Sequence, residues 1–263
     1  MFRPWRHAAC SVTGTGHLRA GTPCQDLAQV NTLPADEPNP ALVAAVADGA
    51  GSAARSDEGA RLACEAFLSA AALAIPWLRE PEYLDRRHGT QTLEDARRAI
   101  EALAGASGAA IGSFACTLLG CIIGEESALF AQLGDGAIAI RTAEHPDWRL
   151  ATRPERGEFA NQTVFVTRAD AENHLQVVQV RARVLEVALM TDGVEFLAIH
   201  QASATPHAPF LEHVMAGLRA TGGAGRIEAH EERLARFLDS PEVNRRTDDD
   251  KTLVLATRAP APS

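Results

Sequence analysis

Cysteine is scarce in this sequence: five residues, Cys10, Cys24, Cys64, Cys116 and Cys121, with no Cys-x-x-Cys pair. An odd number without such spacing fits neither a disulfide framework nor a zinc knuckle, and a reducing cytosol is the simplest compartment. Cys116 and Cys121 are five residues apart. On a strand they would face opposite sides and could not bond each other, so they read as core filler. Basic charge is also in deficit, with 25 Lys and Arg against 34 Asp and Glu and a formal net charge of −9. Such a surplus repels nucleic-acid phosphates and anionic membrane surfaces, so neither is expected as a partner. A long apolar segment is missing too. Met1 to His7 lacks the apolar stretch of a secretory signal, and the most apolar run, Ala60 to Pro76, carries Arg61 and Glu65. Neither export nor a membrane span is expected, and the protein is read as cytoplasmic.

What is present is an ordinary globular balance, 46% hydrophobic and 22% charged over 263 residues, enough for a substantial core. Short apolar runs ending in Gly or Asp predict strands over Ala41 to Ala47, Phe114 to Ile123, Ala128 to Leu133 and Ala137 to Ile140, and later over Leu175 to Ala182, Val184 to Met190 and Lys251 to Thr257. Helices are expected over Asp57 to Ile75, with Ser56 as N-cap and Pro76 as stop, and over Thr92 to Leu103, Glu195 to Ile199, Pro209 to Leu218 and Ile227 to Leu238. Loops are expected at Pro34 to Pro40, Glu144 to Ala160 and Gly222 to Gly225, with a frayed tail from Ala259. No stretch resembles a linker, so residues 1–263 are read as one domain. Strand runs interrupted by helical pairs predict an α+β fold: two mostly antiparallel sheets forming a sandwich with helices packed outside.

Three Asp-Gly pairs end apolar runs: Asp48-Gly49, Asp135-Gly136 and Asp192-Gly193. A hairpin turn is the plain reading of each, since Asp-Gly favours type I′ turns. Asp48 and Asp192, however, are followed by Gly-rich turns and helical patterns, which leaves their carboxylates at strand ends. Asp248-Asp249-Asp250 precedes the last strand and is either a solvated charge run or a further carboxylate at a strand start. Carboxylates at several strand ends suit magnesium or manganese, because hard cations prefer oxygen ligands. Two such ions about 3.5 to 4 Å apart acidify a water and clamp a phosphoryl group.

These residues resemble the metal-dependent protein phosphatases of the protein phosphatase 2C type, bacterial branch. The likeness runs through Gly14-Thr-Gly-His17 with Pro23-Cys-Gln-Asp26, Val46-Ala-Asp48-Gly-Ala-Gly-Ser52 leading to Gly59-Ala60, and Phe114-Ala-Cys-Thr117. It continues through Gln132-Leu-Gly-Asp135-Gly136, Met190-Thr-Asp192-Gly-Val194 and Asp249-Asp-Lys-Thr252, so that it spans nearly the whole chain. The resemblance implies a serine/threonine phosphatase that hydrolyses phosphomonoesters with water or hydroxide bridging two manganese or magnesium ions. It implies that Asp48 bridges the metals, that the Gly49 carbonyl binds one, that Asp192 and Asp249 complete the core, and that Asp26 orients coordinated water. Asp135 would ligate a third, weaker metal; the plain alternative is a hairpin turn.

The sequence also departs from the family. Ala50 stands where many members carry a histidine proposed as the acid for the leaving alkoxide, so a metal-bound water would supply that proton. The family's phosphate-gripping arginine is replaced, with His17 at or near its place and Arg19 nearby; His17, or failing that Arg19, is expected to contact the phosphate. Arg153 to Thr167 lies where the family has a flap, with Asn161, Gln162 and Thr163 in reach of a peptide backbone, and Arg55 is either substrate-facing or solvated. The expected partners are a phosphoprotein substrate and a cognate serine/threonine kinase. A small-molecule phosphomonoesterase and a catalytically silent signalling module of the same fold are the alternatives. The retained Asp48, Asp192 and Asp249 argue against the silent module, because carboxylates that repel one another serve no purpose without metal.

Overall fold

The computed structural model describes residues 4–34, 40–74, 85–153, 163–200 and 202–258. The chain opens with β1 (Arg6–Val12), α1 (Thr15–Ala20), β2 (Leu27–Leu33) and β3 (Ala41–Ala47), followed by the two longest described helices, α2 (Ser56–Ala74) and α3 (Arg86–Ser107). A 3-10 turn at Ile111–Phe114 leads into β4 (Leu118–Ile123), β5 (Ala128–Leu133), β6 (Ala137–Thr142) and β7 (Arg149–Leu150). Then come α4 (Ala171–His174), β8 (Gln176–Val180), β9 (Val184–Met190), α5 (Asp192–Ala198), and the short strands β10 (Ile199–His200) and β11 (Thr205–Pro206). The chain continues through α6 (Ala208–Ala220), β12 (Gly225–Arg226), α7 (Glu228–Leu238), α8 (Pro241–Asn244) and β13 (Lys251–Thr257).

One sheet has the order β2-β3-β4-β5-β8 and is antiparallel throughout. The other has the order β12-β1-β13-β9-β6-β7, in which only β12 runs parallel to its neighbour β1. The sheets stack face to face, and β3 shows why. Its residues Ala41-Leu-Val-Ala-Ala-Val-Ala47 are apolar on both faces and all buried, as a strand covered on both sides requires. Leu42, Ala44 and Val46 meet Leu119, Phe130, Ile138, Leu189 and Val254 between the sheets, while Val43 and Ala45 face outward to Phe67 and Ile100 of the α2–α3 layer. On the far side, Met190, Leu253 and Leu255 pack against Leu211, Met215 and Leu234 of α6 and α7. The layers therefore run helix, sheet, sheet, helix, as expected. All five cysteines are free, with Cys116 in the outer core and Cys121 in the inner one; burial pushes the Cys121 thiol up to about 12.

Several boundaries differ from expectation. Phe114 belongs to the 3-10 turn, and β4 starts only at Leu118, because residues 115–117 form a bridge to the loop after β3 instead of a continuous ladder. Helix α3 starts earlier than Thr92, where Asp85 caps it by accepting from the Arg87 N–H. Helix α5 starts at Asp192 and not at Glu195, and Ser56 is the first residue of α2. A short strand, β7, lies in the expected loop 144–160, and Gly225 belongs to β12. Pro76, most of the 34–40 loop, residues 154–162 and the tail from 259 lie outside the described residues. Strands β1 and β2 and helix α1 were not anticipated. Among the described residues no helix is long and apolar enough to cross a membrane.

Candidate active site

The two sheets end together at one rim, and acidic groups arrive there from both. Strand β3 delivers Asp48, whose N–H donates to Thr117 Oγ1 (2.9 Å) and whose carbonyl accepts the Thr117 N–H (2.8 Å). The next bond of this bridge, from the Ala50 N–H to the Ala115 carbonyl (2.9 Å), skips the Gly49 carbonyl. A Cβ on Gly49 would stand 2.7 Å from the Gln25 carbonyl and 2.8 Å from Ser56 Cβ, so this close approach admits only glycine. Strand β9 delivers Asp192, which opens α5, and its Oδ1 is buried without a hydrogen-bond partner.

Asp135 corrects the hairpin reading. Strand β5 pairs with β4 and β8, whereas β6 pairs with β7 and β9, so Gly134-Asp135-Gly136 carries the chain from one sheet to the other. Both glycines have positive φ, +93° and +90°, which allows the sharp reversal, and the Gln132 side-chain amide donates to both their carbonyls. One carboxylate oxygen each from Asp48, Asp135 and Asp192 falls within 4.8 Å of the others. Thr163, just beyond the undescribed part of the expected flap, donates from Oγ1 to Asp135 Oδ2 at 2.5 Å. Asn161 and Gln162 lie outside the described residues.

Burial and like charge act together on this group. Asp48 is pushed well above the usual carboxylate range, first by burial and then by Asp26, Asp192, Asp135 and Asp249. Asp192 is raised to about 6 by burial and by the charges of Asp135 and Asp249. Asp26 is raised to about 7 by burial, against the opposing pull of the Thr191 hydroxyl, which donates to its Oδ2 at 2.8 Å. A set of oxygen donors that cannot all ionise unaided, one of them without a partner, is what a hard divalent cation would satisfy, and the residues fit such an ion. Asp249 is not one of the three converging groups; its Oδ1 accepts the Asp250 N–H (2.9 Å), while its charge acts on Asp48 and Asp192.

The acidic run before β13 splits into three different environments. Asp248 is solvated and pairs with Arg19 at 2.9 Å, with both side chains about 70% exposed. Arg19 is therefore placed on the surface in an ion pair. Asp250 is buried, accepting the Gly14 N–H at Oδ1 and the Gln25 N–H at Oδ2, both at 2.6 Å. His17 Nδ1 lies 2.9 Å from the same Oδ2, off the N–H axis of an ideal hydrogen bond but within ion-pair distance. Ala50 packs with Ala53 and Ala115 against Phe165, an apolar wall with no side-chain proton donor. Arg55 is engaged within the chain: it grips Glu58 through two nitrogens, reaches Ser107 Oγ and stacks over Phe114 at 4.4 Å. Sequence reasoning missed the positioning roles of Thr117, Thr191, Thr163 and Asp250. Thr117, Thr191 and Asp250 lie inside the family-like motifs, and Thr163, expected near a peptide backbone, bonds Asp135 instead; nothing local distinguishes a hydroxyl that holds a neighbour from one that meets water.

An acid cluster at the shared rim of two packed antiparallel sheets, with helices outside both, defines a class. The chain belongs to the protein phosphatase 2C family, whose profile matches residues 13–239, and it is thereby a serine/threonine protein phosphatase of that type, a hydrolase. Serine/threonine-protein phosphatase 3 of Escherichia coli strain K12 is 37% identical over 253 residues, covering 96% of this chain and 98% of that protein. Solved structures share the fold at much lower identity. The catalytic domain of serine threonine protein phosphatase PstP, in complex with two manganese ions, superposes with a TM-score of 0.58 at 14% identity, covering 97% of this chain and 98% of that one. The serine/threonine phosphatase of S. agalactiae gives 0.60 at 13% identity, with 97% and 100% covered.

Proposed function

We propose that this chain removes phosphate from phosphoserine and phosphothreonine in proteins with the help of manganese or magnesium. Asp48, the Gly49 carbonyl, Asp192 and Asp249 hold two cations, and Asp135 contributes to a third. The observation that carries this reading is the buried, unpartnered Asp192 Oδ1 in a group of converging carboxylates where burial, aided by neighbouring charge, pushes both Asp48 and Asp192 above the usual range. When bound, the cations supply positive charge to phosphoryl oxygens and a water acidic enough to act as nucleophile near neutrality.

The chain's own residues do the rest. Thr117 fixes Asp48 through its backbone, so the carboxylate is presented without rearrangement. Thr191 holds one oxygen of Asp26, which leaves the group turned to orient water at the cluster. The apolar wall of Ala50, Ala53 and Ala115 provides no acid, so the leaving alkoxide takes its proton from water. His17 contacts the phosphate. The substrate is a phosphoprotein in the cytoplasm, the natural counterpart being a serine/threonine kinase.

The test is hydrolysis of phosphoserine peptides beside sugar phosphates, with manganese and then with excess chelator. Peptide hydrolysis that stops on chelation supports the reading. Turnover that survives exhaustive chelation contradicts the metal assignment, and a preference for sugar phosphates contradicts the protein substrate.

A further inference from the structure

We infer that Asp250 is a positioning residue that builds the substrate-phosphate subsite, holding His17 and Gln25 against Gly51 in the turn after β3; this rests on the function proposed above. Asp250 is only 2% exposed and lies next to a cluster already short of positive charge. A further buried carboxylate there is unfavourable unless its oxygens are fully engaged. Both accept a backbone hydrogen bond, Oδ1 from the Gly14 N–H before α1 and Oδ2 from the Gln25 N–H before β2, and His17 Nδ1 on α1 stands at ion-pair distance, 2.9 Å, from Oδ2. Through one side chain the end of the acidic run thus fixes the two segments that carry His17 and Gln25.

Both segments present an uncommitted polar atom toward the same spot. The place a Cβ would occupy on Gly51 is 3.9 Å from His17 Nε2 and 4.0 Å from Gln25 Oε1. Gln25 is 7% exposed, and its Oε1 is buried with no hydrogen-bond partner. Buried polar atoms are rarely left so, and an orphan aimed at an exposed glycine beside Asp48 points to a ligand that completes it. With Nδ1 facing Asp250, the ring donates from Nε2 to a phosphoryl oxygen, and Gln25 Oε1 accepts from the P–OH of a singly protonated phosphate. Asp250 touches neither; it acts through His17 and Gln25. The subsite thus replaces an arginine grip by an imidazole braced on a buried carboxylate.

The experiment is a double-mutant cycle on the full chain loaded with manganese, reading competitive inhibition by inorganic phosphate against p-nitrophenyl phosphate, with manganese affinity from calorimetry. His17→Ala and Asp250→Asn each weaken phosphate by about tenfold or more, the scale of one hydrogen bond to a charged group. Manganese affinity stays at the wild-type value, and the double variant is no weaker than the worse single, because both act on one contact. Additive losses, an unchanged phosphate constant, or a fall in manganese affinity in Asp250→Asn would overturn the inference. If Asp250→Asn does not fold, nitrogen NMR of the wild-type magnesium-loaded protein, with His17 assigned through His17→Ala, decides. Phosphate then shifts His17 Nε2 and leaves Nδ1 in place, whereas no shift at either nitrogen overturns the role. A wild-type protein without phosphatase activity sinks the proposed function itself, while an active wild type with unmoved variants sinks only this subsite.

Discussion

Replacing Asp192 by asparagine is expected to make the cation-free protein more stable, although it removes a proposed ligand. Burial and the charges of Asp135 and Asp249 raise the Asp192 carboxyl to about 6, against about 4 in an unfolded chain. Between those values the folded state binds more protons than the unfolded one. The contribution of these two groups to stability without cation is therefore greatest at low pH and is lost as pH rises through the folded-state values, about 6 for Asp192 and about 7 for Asp26. Above that window, keeping Asp192 ionised costs about 2–3 kcal/mol. Asparagine removes this term and stops repelling Asp48, which shifts melting upward by about 5–10 °C in a chain of this size. Thermal unfolding in chelator at about pH 7.5 and again at about pH 5 reads this directly, with the gap between variant and wild type closing at the lower pH. Manganese at one hundred times its dissociation constant adds about 2.7 kcal/mol to the wild type and little to Asp192→Asn. A variant less stable than wild type in chelator at neutral pH refutes the reasoning, because the cluster would then not be under mutual strain.

Thr117→Val removes the acceptor for the Asp48 N–H, and is expected to cost about 1–3 kcal/mol in denaturant unfolding and to weaken manganese binding in calorimetry. Unchanged manganese affinity would show that Thr117 does not set the Asp48 carboxylate. Arg219→Ala strips Glu186, which is 1% exposed, of a two-pronged ion pair made at 2.6 Å through both nitrogens. Arg141 and the Thr257 hydroxyl still reach Glu186, so the expected loss is about 3 kcal/mol, at the low end for a broken buried pair, with turnover per folded molecule unchanged. A stability equal to wild type would show that pair to be incidental.

The fold was most legible where burial is two-sided. The apolar run of β3 and the shorter apolar stretches within β5 and β13 read as strands, because a strand covered on both faces needs apolar residues on both. Strands β1, Arg6–Val12, and β2, Leu27–Leu33, escaped because their residues are mixed and only partly buried, and long-range pairing to β13 and β3 makes them strands. At the site, Asp48 and Asp192 could be found from strand ends followed by helices. Asp135 was ambiguous for a physical reason: a hairpin and a crossover between sheets use the same Gly-flanked reversal, and only strand pairing separates them. The run 248–250 shows the limit most sharply, since identical side chains become a surface ion pair, a neighbour of the cluster and a buried brace. No local pattern distinguishes them, because the difference lies in Gly14, His17 and Gln25, more than two hundred residues away in the chain.

The most direct test of the cation account is anomalous diffraction at the manganese edge from a crystal of the protein soaked in manganese. The account predicts manganese between Asp48, Asp192 and Asp249, with a further, weaker ion beside Asp135. Manganese found elsewhere in the crystal while this cluster remains without an anomalous peak would contradict it.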